Sequence, residues 1–323
     1  MSDDRLCRIC GGGTVTLGTK CGWRAPQPFE LRTCGRCHFS FVANPRTDVE
    51  AIYDADYYAG RGADPLVDYI YELECPDLTI RQYEWRGILR AVRQLVPVTA
   101  STRWLDFGCG NGGLVRYCRA HSDCAAYGYD SGWMAQRAAA AGIPYLSAAQ
   151  LGAAAGTFDV VTAIEVLEHI PNPLAVLRTI RAALKPGGLF FYTTGNAQPF
   201  RDRLLAWSYV NPTIHVSFFE PTTLERALTA AGFRPEHRGY LPGFDDILRF
   251  KILKTLRVRR AAAWQVVVPW SLLCRFVERQ RRVAAHPIGW ALPVPTEPRT
   301  AVPGDYALDM PAITVSAPQP VGP

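Results

Sequence analysis

Nothing in this 323-residue chain approaches the twenty or so consecutive apolar residues that carry a helix across a bilayer. The apolar run from Ala261 to Cys274 is short and contains Pro269. The opening residues, MSDDRLCRIC, lack the apolar segment of a secretory leader, so the expected setting is a reducing cytosol. The middle of the chain also lacks positive charge. Residues 1–45 carry six Lys/Arg against three Asp/Glu and residues 245–323 eleven against six, which leaves 18 against 20 between them. That balance leaves no general nucleic-acid footprint on the central domain and argues against nucleic acid as a partner.

Cysteine is plentiful and clustered: half of the ten lie at or before Cys37. Cys7-x-x-Cys10 is followed further along by a second pair, Cys34-x-x-Cys37. Two such knuckles bring four thiolates to one tetrahedral site, which suits structural Zn²⁺. Gly11 and Gly35 allow the tight turns, and Cys21 and His38 are substitute ligands to be tested. About 45 residues hold too little core to fold without such a staple. The expected organisation is a zinc-ribbon module over 1–45 and a helical, Tyr-rich linker or lid over 46–99. A ligand-binding domain follows over 100–296, and a Pro-rich disordered tail over 297–323.

From residue 102 the pattern alternates. Strands are expected at 103–107, 125–129, 144–146, 158–164 and 188–194, with helices at 112–120, 133–141, 174–184 and 222–231. The order predicts an α/β fold with a doubly wound parallel sheet whose ligand lies beyond the carboxyl ends of the strands. Residues 245–285 break the pattern and read as an insertion before a final strand at 290–294. Between Arg249 and Arg282 there are ten Lys/Arg and one acid, Glu278. Leu248, Ile252 and Leu256 share a helical face. Residues 249–282 therefore suit an anionic membrane surface, or a helical pair packed on the domain or on a second subunit.

The stretch WLDFGCGNGG, Trp104–Gly113, opens the first βα turn. It fits both G-x-G-x-x-G and D-x-G-x-G-x-G, two loops for different adenosine cofactors. Asp106 discriminates between them. A carboxylate at the strand tip repels a pyrophosphate, but attracts the ammonium and sulfonium of S-adenosylmethionine. Asp130, at the end of the next strand in YGYD, suits a ribose diol in either case. The fourth strand runs into TAIEVLEHIPNP, which puts Glu165, Glu168 and His169 at its end.

In this order, WLDFGCGNG, YGYD, FDVVTAIEVLEHIPNP, LKPGGLFFYTT and HVSFFEPTTLERALTAAGF resemble the class I S-adenosylmethionine-dependent methyltransferases over about 100–240. The N-terminal part is similar to the zinc ribbon in front of some bacterial sugar and natural-product methyltransferases. The resemblance implies a Rossmann-like sheet of seven strands with the last antiparallel. It also implies that Asp106, Gly108, Gly110 and Gly112 shape the methionine pocket, with Asp130 on the ribose and Glu165 beside the cofactor.

Methyl transfer to a hydroxyl needs in-line geometry and is helped by a general base. His169 and His215 are the candidates, and Glu168 is set aside as an exposed carboxylate. The expected reaction is O-methylation of a sugar, glycan or glycolipid hydroxyl. C-methylation of a nucleotide-activated deoxysugar, RNA methylation and a catalytically silent adaptor are the alternatives. RNA is disfavoured because the N/D-P-P-Y/F tetrapeptide of many base-amine methylators is missing after the fourth strand.

Overall fold

The computed structural model describes residues 5–23, 25–236, 242–262, 264–280 and 288–293. The strands are β1 (Thr14–Gly22), β2 (Ala25–Cys34), β3 (Ser40–Val42), β4 (Arg103–Phe107), β5 (Ala125–Tyr129), β6 (Phe158–Ile164), β7 (Leu184–Thr193), β8 (Ser217–Phe218), β9 (Phe233–Glu236) and β10 (Ile288–Pro293). The first six helices are α1 (Val49–Ile52), α2 (Ala55–Tyr58), α3 (Tyr69–Glu74), α4 (Arg81–Leu95), α5 (Gly113–His121) and α6 (Trp133–Ala140). They are followed by α7 (Ala148–Ala153), α8 (Pro173–Ala183), α9 (Pro221–Ala230), α10 (Phe244–Thr255), α11 (Trp264–Val267) and α12 (Trp270–Gln280).

The main sheet has the order β5-β4-β6-β7-β10-β9. β4 to β7 are parallel, and β10 runs antiparallel to both of its neighbours. Outside β5, Tyr145 makes a parallel bridge to Gly128. With that segment the sheet has the seven-stranded pattern expected, including the antiparallel member. The central strands read as apolar runs because helices cover both faces: Val160, Val161 and Ala163 of β6 are all fully buried.

The N-terminal knuckles do not stand apart as a bead. β1, β2 and β3 form a second sheet that continues into β8, with Ser40 opposite Phe218 and Phe41 opposite Ser217. Cys7, Cys34, Cys37, Phe39 and Phe41 belong to the same apolar cluster as Leu105, Phe190 and Phe219. Sequence spacing could not show this, since all four parallel strands of the main sheet intervene between β3 and β8.

The insertion also differs from expectation. α10 buries Phe244, Ile247, Phe250 and Leu253, not the face of Leu248, Ile252 and Leu256; Leu256 is 67% exposed. Its partner is α4. Asp246 accepts a two-pronged pair from Arg86 and a third bond from Arg90, at 2.6–3.1 Å. The helices approach backbone to backbone at two glycines. A Cβ on Gly87 would lie 2.6 Å from the Gly243 carbonyl oxygen, and one on Gly243 would press on that of Gly87 in turn. No helix among the described residues is long and apolar enough to cross a membrane. The expected Pro-rich tail and residues 263 and 281–285 of the insertion lie outside the described residues.

Candidate functional site

A cavity of about 1880 Å³ opens beyond the carboxyl ends of β4, β5 and β6. That exceeds the range of roughly 300–1,000 Å³ usual for one small ligand, so there is room for a cofactor and an acceptor together. Asp106, Gly108, Gly110, Asp130, Glu165, His169 and His215 all line it. Gly112 does not: it caps α5 and faces Ile143, where a Cβ would lie 2.7 Å from that side chain.

The loop geometry depends on glycine. Gly108, Gly110 and Gly112 have φ of 74°, 53° and 71°, a region that other residues enter only with strain. The turn brings the Gly110 N–H to Asp130, whose Oδ2 accepts it at 2.6 Å while Oδ1 accepts from the Ser131 N–H at 2.7 Å. Asp106 is buried behind the loop. Trp104 Nε1–H donates to the Thr162 hydroxyl, which donates to Asp106 Oδ1 at 2.7 Å. Burial lifts the Asp106 carboxyl to about 7 and the Asp130 carboxyl to about 6. Two carboxyls so raised mark a place short of positive charge. A sulfonium and an ammonium supply what this donor set lacks, whereas a pyrophosphate would aggravate it. The residues fit S-adenosylmethionine.

At the other end, His169 and His215 stand edge to face with ring centroids 4.8 Å apart. His215 Nδ1 lies 2.6 Å from the Tyr209 carbonyl oxygen. A carbonyl can only accept, so Nδ1 carries the proton and Nε2 keeps its lone pair. His169 Nδ1 faces the Tyr53 hydroxyl at 3.0 Å. Burial lowers both imidazoles, His169 to about 4, with the neighbouring His215 adding to the effect. Both are therefore neutral at pH 7. Glu168 is a correction: it is buried, not exposed. Its oxygens accept from Thr194 and Tyr209 hydroxyls at 2.7 and 2.6 Å, and burial raises its carboxyl. It is a brace for Tyr209 more than a base. Glu168, His169 and His215 are also close enough together to hold a cation.

Sequence reasoning missed the charged chain that joins the two ends. Asn111 in the glycine loop donates to Glu72 (3.2 Å), and Arg81 sits between Glu72 (3.5 Å) and Glu84 (2.7 Å). Lys251, from α10, lies between Glu84 (3.3 Å) and Glu165 (3.2 Å). Burial works against the Lys251 charge, but Glu165 and Glu84 more than offset it and its ammonium is raised. Glu165 itself has φ 55°, a strained turn at the end of β6. No local motif marks Lys251; the Lys/Arg excess of the insertion was the only signal.

The four cysteine sulfurs converge as the spacing predicts. Sγ–Sγ distances are 3.5 Å for both Cys7–Cys37 and Cys10–Cys34, and all four sulfurs lie within 4.8 Å of one another. A tetrahedron with metal–sulfur bonds of about 2.3 Å has edges of about 3.8 Å, so the set can hold zinc. The Ile9 and Arg36 N–H groups point at Cys7 and Cys34 sulfurs at 3.4 Å. Cys21 and His38 are not in the cluster.

A methyltransferase-domain family model matches residues 79–238. Over 166 residues the chain is 31% identical to the ubiquinone biosynthesis O-methyltransferase of Bordetella pertussis, covering 67% of that protein and 45% of this one. The chain belongs to the class I S-adenosylmethionine-dependent methyltransferases. Proteins of the same name from Albidiferax ferrireducens and Vibrio parahaemolyticus are 33% and 36% identical over 144 and 141 residues. Those alignments cover 38% and 37% of this chain and 57% and 60% of the two relatives, so the chain spans less than two thirds of their length. A solved S-adenosylmethionine-dependent methyltransferase from Mesorhizobium loti is 22% identical with a TM-score of 0.44, covering 64% of this chain and 97% of its own.

Within this methyltransferase domain the raised carboxyls give a pH prediction. A bound cation favours ionised Asp106, so cofactor affinity is full above about pH 7 and falls below it, by up to about tenfold per unit. Without cofactor the sign reverses: the folded chain holds protons that the unfolded chain releases above about pH 4, so these two groups stabilise less as pH rises from about 4 to about 7. Asp106→Asn therefore raises the cofactor-free melting temperature at neutral pH while removing cofactor binding. Calorimetry in buffers of different ionisation enthalpy checks the proton release; affinity that stays flat from mildly acidic to mildly alkaline pH would refute the assignment.

Proposed function

We propose that this chain is an S-adenosylmethionine-dependent O-methyltransferase acting on the hydroxyl of a sugar, glycan or glycolipid. The observation that carries the reading is His215, whose tautomer is set by the Tyr209 carbonyl in the same cavity as the glycine loop. Bound there, S-adenosylmethionine supplies an activated methyl group. The chain's own residues orient and deprotonate. Asp106, Asp130 and the glycine loop hold the cofactor end, and His215 Nε2 takes the acceptor hydroxyl proton as the new oxygen–carbon bond forms. Glu168 and Tyr53 keep the histidine pair in place. Stacked Phe200, Trp207 and Tyr209 give the acceptor an aromatic wall, and Asp54, Asp64 and Asn211 offer partners for ring hydroxyls. Zn²⁺ on Cys7, Cys10, Cys34 and Cys37 is part of this reading as a structural ion.

A second reading, a phenolic hydroxyl on a lipid-tailed ring, is favoured by the names of the relatives. The same wall suits it. Incubating the chain with methyl-labelled cofactor and a fractionated cell extract separates the two: label enters glycolipid or soluble sugar in the first case and quinone-type lipid in the second. Label in RNA, or none in any fraction, would overturn both. The anionic membrane contact expected of 249–282 narrows to exposed Trp264, Val267, Leu272 and Phe276 on α11 and α12. Phosphatidylglycerol vesicles should retain the chain at low salt and release it at high salt, and equal retention on neutral vesicles would count against it.

A further inference from the structure

α10 ends in a backbone arrangement that ordinarily demands glycine. The Val258 N–H returns to the Leu253 carbonyl and the Leu256 N–H to that of Ile252, both at 3.0 Å. In such an ending the residue between them is left-handed and usually glycine, which has no Cβ to strain. Here it is Arg257, at φ 58°.

The side chain has no offsetting local role. Among the described residues it has neither a hydrogen-bond nor an ion-pair partner. It is exposed and lines both the large cavity and a side pocket of about 270 Å³ that shares Trp23, Pro65 and Leu66 with it. Arg259 lines the same side pocket and donates to the Pro65 carbonyl at 2.8 Å. Two carboxylates of the same region pair with other cations: Asp64 faces Lys254 at 3.7 Å, and Asp68 faces Arg259 at 3.8 Å. Trp23, 55% exposed, lines the same side pocket as the two arginines.

We propose that this mouth is a phosphate subsite, in which Arg257, with Arg259 beside it, holds a phosphate or diphosphate carried by the acceptor. The inference rests on the reading that the large cavity takes the acceptor, and it deepens that reading by naming a second chemical group. A guanidinium fork matches phosphate oxygens two at a time, and a diphosphate offers enough oxygens for two forks. Trp23 and Leu66 then face whatever apolar or heterocyclic group adjoins the phosphate. Strain retained at a ligand-facing arginine, where glycine would relieve it, is the pattern of a residue kept for binding.

The test uses the full chain with inorganic pyrophosphate, uridine diphosphate and geranyl diphosphate at constant ionic strength, measured by calorimetry. Wild type binds at least one probe, and Arg257→Gly weakens that binding by about tenfold or more. The same variant melts at the same temperature or higher, since glycine enters the left-handed region without strain. Arg257→Lys keeps the charge and the fold but loses the fork, and binds between the two. Tighter uridine diphosphate supports a nucleotide-linked acceptor, tighter geranyl diphosphate a lipid-linked one, and equal binding of all three supports the phosphate alone as determinant. No binding to wild type, or wild-type binding by Arg257→Gly, overturns the subsite. A chain that transfers methyl yet ignores the probes loses only this inference, whereas one that binds diphosphate but no cofactor loses only the methyltransferase reading.

Discussion

Replacing His215 by Ala lowers the single-turnover rate of methyl transfer by about 10²- to 10⁴-fold, the usual worth of a placed general base. Cofactor affinity is expected to stay at its wild-type value, because Asp106 on β4 and Asp130 just after β5, the carboxylates proposed to hold the cofactor, are not on the His215 loop. The Nδ1 bond to the Tyr209 carbonyl leaves one nitrogen for the proton, so His215→Gln, which cannot accept a proton at neutral pH, is as slow as Ala. His169→Ala loses less, as its Nδ1 is turned to Tyr53 and its ring supports His215 from the side. Burial depresses the imidazole, so the rate holds to a lower pH than an ordinary histidine allows and falls only below that. A His215→Ala rate equal to wild type, with the acceptor fraction saturating, would remove His215 from the chemistry.

Removing metal from the four-cysteine cluster is expected to cost more than the N-terminal sheet. Structural zinc in small folds is worth about 10–16 kcal/mol of apparent binding energy, and here much of it is folding energy. The cluster touches the main core directly: the Thr223 hydroxyl donates to the Cys37 carbonyl at 2.6 Å, and β3 pairs with β8, which begins just beyond His215. Chelation at neutral pH therefore lowers the melting temperature by about 10 °C or more and disturbs the acceptor end of the cavity. Cys34→Ser, which removes a fully buried sulfur of the cluster, is expected to have the same effect without a chelator. Elemental analysis should find one zinc per chain. A metal-free chain with an unchanged melting curve would show that four reduced thiols suffice.

Much of the cofactor half was legible in residue order. β4 and β6 fall where the apolar runs lie, since strands buried on both faces need little beyond local composition to declare themselves. Gly108 and Gly110 of WLDFGCGNGG converge with Asp106 and Asp130 because a βα turn and its neighbouring strand end are short-range consequences of the alternating pattern. The Cys-x-x-Cys pairs converge for a similar reason: each knuckle is a local turn. The acceptor half was not legible in the same way. Glu168 reads as a surface acid because nothing near it in sequence announces Thr194 or Tyr209. The buried face of α10 was missed because Gly87 and Gly243 choose it by close approach, and periodicity alone admits either face.

The sequence by itself determined the parallel sheet, the positively charged cofactor and the four-sulfur cluster, because each follows from patterns spanning a few residues or from the charge of one carboxylate. Only the tertiary structure decided that the Tyr209 carbonyl fixes the His215 tautomer, that Lys251 links Glu84 to Glu165, and that the cysteine module shares its core with the main sheet. Those outcomes turn on side chains and strands that lie far apart along the chain, whose meeting depends on packing that no local period encodes.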